Sequence, residues 1–157
     1  MKPEHLIFKI NEFENIFFAI PLFCETKFTI LQVMPYSTIS HFDFNFTDEF
    51  SKKIMPFGAF IFKEQIVPLI EISKYLQIEK KQHLNSKSFT SSVIVIELSN
   101  HNIFALVVEQ ITKITSLEHK NDELKNQIIS DKLIENSFID NCFSDGDKKF
   151  VELKIYD

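Results

Sequence analysis

Glycine is nearly absent: the chain has only Gly58 and Gly146, far apart in sequence. No glycine-rich loop is therefore available to cradle a phosphate, which excludes P-loop and dinucleotide fingerprints. Arginine and tryptophan are missing altogether, and all seventeen basic residues are lysines. The net charge of −5 divides into −2 over residues 1–78 (7 Lys, 9 acidic) and −3 over residues 79–157 (10 Lys, 13 acidic). Neither half offers the basic surface that releases counterions from a nucleic acid, so no nucleic-acid partner is expected. The longest apolar run, residues 16–24, falls well short of the roughly 20 residues that span a bilayer, and no direct membrane insertion is expected. Residues 1–5 lack the apolar core and cleavage site of a signal peptide. Cys24 and Cys142 are distant and sit among apolar neighbours. They read as buried free thiols in a reducing compartment, which makes the chain cytoplasmic.

What is present is 157 residues, 45% hydrophobic and 25% charged, ordinary usage for a globular chain. Eighteen phenylalanines are not ordinary, and with the lysine-only basic set they read in part as AT-rich codon bias. The patterning is mostly of period two. Leu6, Phe8 and Ile10 alternate with Ile7 and Lys9, and residues 16–20 follow across an acidic turn, predicting a hairpin. Residues 28–33 predict a third strand. Residues 59–62 and 66–70 predict two more, and Pro68, having no amide hydrogen, places the latter at an edge or bulge. Ile72, Tyr75 and Leu76, at i, i+3 and i+4, mark a short helix. Residues 79–92 hold only Leu84 and Phe89 as large apolar side chains and predict a linker between subdomains 1–78 and 93–157. Residues 93–98 and 103–108 predict a hairpin closed by Ser99-Asn100-His101-Asn102. A strand at 111–114 and a helix at 118–126 follow. Residues 138–143 and 150–155 then pair across Asp145-Gly146-Asp147. The fold class is all-β with short helices, as two small barrels or a sandwich.

Candidates for chemistry are few. The five histidines (5, 41, 83, 101 and 119) show no pairing at zinc-site spacing, so no metal is expected. Asp145 and Asp147 flank a hairpin glycine and read as solvated turn residues. Cys24 has no local motif to make it a nucleophile. Glu109, closing an apolar strand, is the more interesting carboxylate. No catalytic residue is assigned, and the chain is not expected to be an enzyme.

Two stretches carry a family likeness. Gly58-Ala59-Phe60-Ile61-Phe62-Lys63-Glu64-Gln65-Ile66-Val67-Pro68-Leu69-Ile70-Glu71-Ile72 resembles the motif of CheW-like coupling proteins. There a glycine opens a strand, an Asn-Leu-Arg-Gly step turns the chain, and an Ile-Val-Pro-hydrophobic-hydrophobic-acid run follows. Val93-Ile94-Val95-Ile96-Glu97-Leu98 and Ile103-Phe104-Ala105-Leu106-Val107-Val108-Glu109-Gln110-Ile111 resemble the second signature, in which a Gly-hydrophobic-Val-Val-Asp segment ends a hairpin. The likeness extends to Leu6-Ile7-Phe8 as the opening strand and residues 150–155 as the closing one. It identifies residues 1–157 as a single CheW-like domain, with strand exchange between the two subdomains left open.

The resemblance implies two interlocked five-stranded SH3-like β-barrels sharing a hydrophobic seam. It also implies a non-enzymatic scaffold without cofactor in bacterial chemotaxis. Such an adaptor couples methyl-accepting chemoreceptor tips to the regulatory domain of a CheA-type histidine kinase, in the cytoplasm beneath the inner membrane. The receptor hairpin lies in a groove between the barrels, barrel ends pair with similar barrels on the kinase, and weak self-association in arrays stays open. The partner-binding residues it implies are Lys63, Val107, Val108 and Glu109, with Glu25 near the family's acidic position after the second strand.

The departures matter as well. Lys63 stands for the family's Arg and lacks the planar bidentate fork. Glu64 stands for Gly, and Ala105 and Gln110 replace glycines around the second signature. Residues 37–56 read as an insertion, in which Phe42, Phe44 and Phe46 share one face if extended. That segment is either an edge strand or loop packed on the first barrel, or an extra interface, since exposed aromatic clusters mark contacts. On the interface reading, deleting residues 38–51 leaves the fold intact. Three alternatives remain: an adaptor for type IV pilus motility, a degenerate kinase-only binder and, from another class, a small-barrel nucleic-acid binder, against which the acidic balance argues.

Overall fold

The structure is a computed structural model and describes residues 4–10, 13, 15–24, 27–78 and 91–155. Strands β1 (Glu4–Lys9) and β2 (Ile16–Pro21) form the predicted hairpin, with Leu6 opposite Ile20. After them come β3 (Phe23–Cys24), β4 (Phe28–Pro35), helix α1 (Glu49–Ile54), β5 (Gly58–Phe62), β6 (Gln65–Glu71) and helix α2 (Ile72–Tyr75). The rest of the chain supplies β7 (Ser92–Leu98), β8 (Ile103–Val108), β9 (Gln110–Ser116), helix α3 (Asp122–Ser130), β10 (Ile139–Asp145) and β11 (Lys148–Leu153). These strands build two sheets, ordered β10-β11-β2-β1-β9 and β3-β4-β7-β8-β6-β5. Each sheet draws strands from both sides of residues 79–90. No helix among the described residues is long and apolar enough to cross a membrane.

The two sheets repeat one pattern. In the first, hairpin β1–β2 is flanked by β9 on the β1 side, antiparallel, and by β11 on the β2 side, parallel, with β10 outermost. In the second, hairpin β7–β8 is flanked by β4, antiparallel, and by β6, parallel, with β5 outermost. The sixth strand, two-residue β3, is the only addition among the described residues. The edges are brought together in the same way as well. The chain leaving β9 forms one antiparallel bridge, Lys120 to Phe143 on β10, and the chain leaving β4 forms one, Phe42 to Ala59 on β5. Each of these connections then makes one α-helix before re-entering its sheet. Residues 37–56 are thus the counterpart of the connection between β9 and β10, not a segment foreign to the architecture.

Period-two alternation sends each strand's side chains into different cores. Phe104, Leu106 and Val108 of β8 join Ile94, Ile96 and Leu98 of β7 in the largest cluster, which also takes Leu6, Phe8, Phe18 and Ile20 from the other sheet. This is the seam between the sheets. The opposite faces of the same strands, Val93, Val95, Ala105 and Val107, pack with Phe60, Phe62, Val67 and Leu69 inside the second sheet. A smaller cluster of Ile7, Ala19, Phe143 and Phe150 fills the first.

Three expectations shift. The helix expected over residues 118–126 is α3, starting later: the Asn121 side chain accepts from the Leu124 N–H at 3.0 Å, capping the helix there. Residues 119–121 instead hydrogen-bond β10, with Ser144 N–H to His119 O at 2.9 Å and Asn121 N–H to Cys142 O at 2.8 Å. Pro68 lies in an inner strand rather than at an edge or bulge. It sits one residue before the ladder to β8 begins at Leu69, and its opposite neighbour Ala59 bonds outward to Phe42. No ladder bond at that position needs the missing N–H. Finally, helix α1 was not foreseen. Asp48 caps it by accepting from the Ser51 N–H at 2.9 Å, with Glu49 in its first turn and Lys52 and Lys53 in its last.

Candidate functional site

The β5–β6 hairpin turns through two residues, since Phe62 pairs directly with Gln65. Both turn residues have left-handed backbones, Lys63 at φ 48° and Glu64 at φ 67°. A two-residue hairpin of that type favours glycine or asparagine, so Lys63-Glu64 holds the shape at a conformational cost. The tip is apolar on its outer face. Ile61 and Ile66 are cross-strand partners, exposed to 58% and 43% beside the turn. Lys63 is exposed, and its ammonium sits 5.4 Å from the centre of the Phe62 ring. The alternation Phe60-in, Ile61-out, Phe62-in was legible in the sequence and points to Ile61 as a surface residue. Sequence reasoning passed over it in favour of the charged turn.

Lys63 and Phe42, assigned separately from the sequence, line one depression. It measures about 570 Å³ between Gln32 and Met34, in the part of β4 that β3 does not cover, and Phe60 and Ile61 of the edge strand β5. Phe42 is placed by its paired backbone bonds to Ala59, both 2.9 Å. A side chain at Gly58 would bring a Cβ within 3.1 Å of the Phe42 carbonyl, so glycine suits the close approach of this segment. The preceding His41 is held by Tyr36, whose Oη lies 3.1 Å from Nδ1, and by the edge of Phe57. Burial first, then the nearby Glu71 carboxylate, pushes the Tyr36 hydroxyl above its ordinary pKa, so it stays protonated. Phe42 and Phe44 are exposed while Phe46 is half-buried, and the Phe44 and Phe46 rings meet edge-on at 4.7 Å. The segment is also anchored: Ile39 packs on the second sheet's core, Phe50 and Ile54 pack on the seam, and Ser51 is buried. Removing residues 38–51 would therefore delete part of the core packing along with the exposed rings.

The remaining assigned residues lie elsewhere. Val107 and Val108 are both buried, one in each of two cores, because β8 has strands on both sides and packing on both faces. Neither reaches the surface of the isolated chain. Glu109 follows at 5% exposure, where the chain leaves β8 in one sheet for β9 in the other. Glu25 lies outside the described residues.

A polar group that the sequence did not flag lies inside the first sheet. His5 is buried, with Nε2 against a Glu152 carboxylate oxygen, and the other Glu152 oxygen accepts from Asn141 Nδ2 at 3.2 Å. His5 Nδ1 is buried without a hydrogen-bond partner. Cys142 is a buried free thiol, and burial pushes its pKa up to about 11, so it remains a protonated packing group at neutral pH. Among the described residues no three His, Cys, Asp or Glu side chains cluster as metal ligands.

The repeated sheets, the shared seam and an exposed apolar tip beside a lysine define a two-sheet module whose distinctive surface suits contact with another protein. The model of the CheW-like domain family matches residues 51–153, well over half of the chain, and the protein belongs to that family. The CheW family is one of non-enzymatic scaffold and adaptor proteins of chemotaxis signalling that interact with chemoreceptors and the kinase CheA. The fold agrees with the crystal structure of the scaffolding protein TtCheW from Thermoanaerobacter tengcongensis, at 18% identity and a TM-score of 0.67, covering 99% of this chain and 86% of that one. No curated protein sequence matches the chain.

Proposed function

We propose that this protein is a cytoplasmic, non-catalytic adaptor that couples chemoreceptor tips to the regulatory domain of a CheA-type histidine kinase beneath the inner membrane. The observation that carries this reading is the family match over residues 51–153, which takes in both the Lys63 hairpin and the strand ending in Val107, Val108 and Glu109. In this proposal the receptor meets the hairpin tip through Lys63, Ile61 and Ile66. The two valines and Glu109 act from beneath, by fixing the crossover between the sheets. Phe42, which lines the same depression as Lys63, and Phe44, whose ring meets it edge-on, add a further contact. Several contacts of ~1 μM, about −8 kcal/mol each, suffice to hold an array through multivalency.

Isothermal titration against the isolated regulatory domain of a CheA kinase from the same organism, and separately against a receptor-tip hairpin, tests the proposal. Binding of both in the micromolar range is expected. Lys63→Glu with Ile61→Asp should weaken the receptor arm about tenfold while leaving the kinase arm unchanged. Phe42→Ser with Phe44→Ser should weaken one arm without lowering the melting temperature. No heat and no co-elution with either partner would show that the fold has been kept without the family role.

A further inference from the structure

A second concavity, away from the hairpin tip, opens over the seam between the sheets. It encloses about 420 Å³, within the size range of small-molecule sites. Its floor is aromatic and comes from four separate elements. Phe104 of β8 stacks on Tyr75 of α2 with centroids 5.7 Å apart and planes 4° apart. Phe50 of α1 meets the same Phe104 edge-on at 5.7 Å, and Phe138, just ahead of β10, lies 5.8 Å from Tyr75. The rim carries charge. Lys53 of α1 and Lys74 of α2 both line the opening and are exposed, and among the described residues neither is in an ion pair. Glu49 is the acidic group on the same rim, so the excess is one positive charge. At the far end Asn100 accepts the Asn102 N–H through Oδ1 at 3.0 Å, which orients its amide NH₂ as a remaining donor.

We propose that this cavity binds a small aromatic anion, with its ring seated among the half-buried rings of Tyr75, Phe50 and Phe138 and its carboxylate or sulfonate group at Lys53 and Lys74. An apolar floor gains from covering by a flat ring, and two exposed ammonium groups on the rim add a modest, salt-screened attraction for the opposite charge. An α-helix with its side chains is about 10–12 Å across, too wide to enter a cavity of this size, whereas a fused-ring molecule fits. None of Lys63, Val107, Val108 or Glu109 lines it, so the site is separate from the residues proposed for the adaptor contact.

Anilinonaphthalene sulfonate, an aromatic anion that brightens in apolar surroundings, is a direct probe. Saturable one-site binding to the folded protein is expected, with amide shifts at Phe50, Tyr75, Asn100 and Phe104. Lys53→Glu with Lys74→Glu should weaken it about tenfold in a protein whose circular dichroism shows it still folded, and Lys53→Arg with Lys74→Arg should retain it. Binding of the neutral analogue N-phenylnaphthylamine should not respond to the charge reversal. The proposal is overturned if no saturable binding occurs, if the sulfonate ignores the charge reversal, or if the shifts map to Phe42 and Phe44. Stoichiometric displacement by the CheA regulatory domain would also overturn it, by assigning the cavity to a partner's side chain.

Discussion

The two sheets share a strand pattern, a mode of edge closure and a connecting helix, yet they are filled and turned differently. The interior of the second is lined by Phe60, Phe62, Val67, Leu69, Val93, Val95, Ala105 and Val107. Among the described residues, the corresponding interior of the first holds Ile7, Ala19, Phe143 and Phe150 as its buried apolar cluster and shares its face with the His5–Glu152–Asn141 group. The outer hairpins differ too. β10–β11 turns through Gly146 at φ 62°, whereas β5–β6 places Lys63 and Glu64 in left-handed conformations without a glycine. The half carrying the family motif thus has the larger apolar cluster and the costlier turn. A shared backbone pattern tolerates either filling, because each interior is small beside the common seam.

The comparison breaks most completely at the seam. Phe104→Ala removes a buried ring that packs with Phe50 and Tyr75 in the cluster common to both sheets. It should cost about 3–5 kcal/mol. Urea unfolding followed by both circular dichroism and fluorescence should give one coincident transition for both sheets. Two separated transitions would mean that the halves are held independently. Next in size, Glu152→Ala leaves buried His5 and Asn141 without their acceptor and should cost about 1–3 kcal/mol. The paired replacement His5→Leu with Glu152→Leu should recover most of that loss, making the first interior resemble the second. If the pair of changes costs as much as the single one, packing rather than pairing explains the site.

The smaller effects lie on the surface. Glu64→Gly relieves a left-handed non-glycine residue and should stabilise the protein by about 1 kcal/mol, bringing the β5–β6 turn closer to its counterpart. An unchanged midpoint would mean that the turn is relaxed as it stands. The smallest effect is at α1. The Ser51 backbone N–H holds the Asp48 carboxyl below its usual range, so its folded pKa lies under the unfolded one. Its contribution is complete above the ordinary carboxylate range and is lost as pH falls through the lowered folded value. Asp48→Ala should cost about 0.5 kcal/mol near neutrality, the low end for a cap because solvent screens this exposed group. The difference from the parent protein should vanish in acid.

Most of the strands were legible in the chain because period-two alternation and the turn residues around Lys63, Asn100 and Gly146 act locally. The resemblance around residues 58–72 and 93–111 pointed to the family for the same reason: its signatures are continuous in sequence. The burial of both Val107 and Val108 was not legible. Alternation requires one valine to face inward, but only the placement of β8 between two strands, with a core on each face, buries the other. Phe42 stood out in the sequence, but that it shares a depression with Lys63 depends on its backbone pairing with Ala59 of β5, a residue distant in the chain.

By itself the sequence determined an all-β chain with its hairpins, its lack of phosphate-binding loops and its CheW-like signatures, all consequences of spacing along the backbone. The tertiary structure alone decided that one strand pattern occurs twice, that residues 37–56 are the structural counterpart of the connection between β9 and β10, and that His5 meets Glu152. These relations depend on strand order and on contacts between residues far apart in the chain, which local periodicity does not encode.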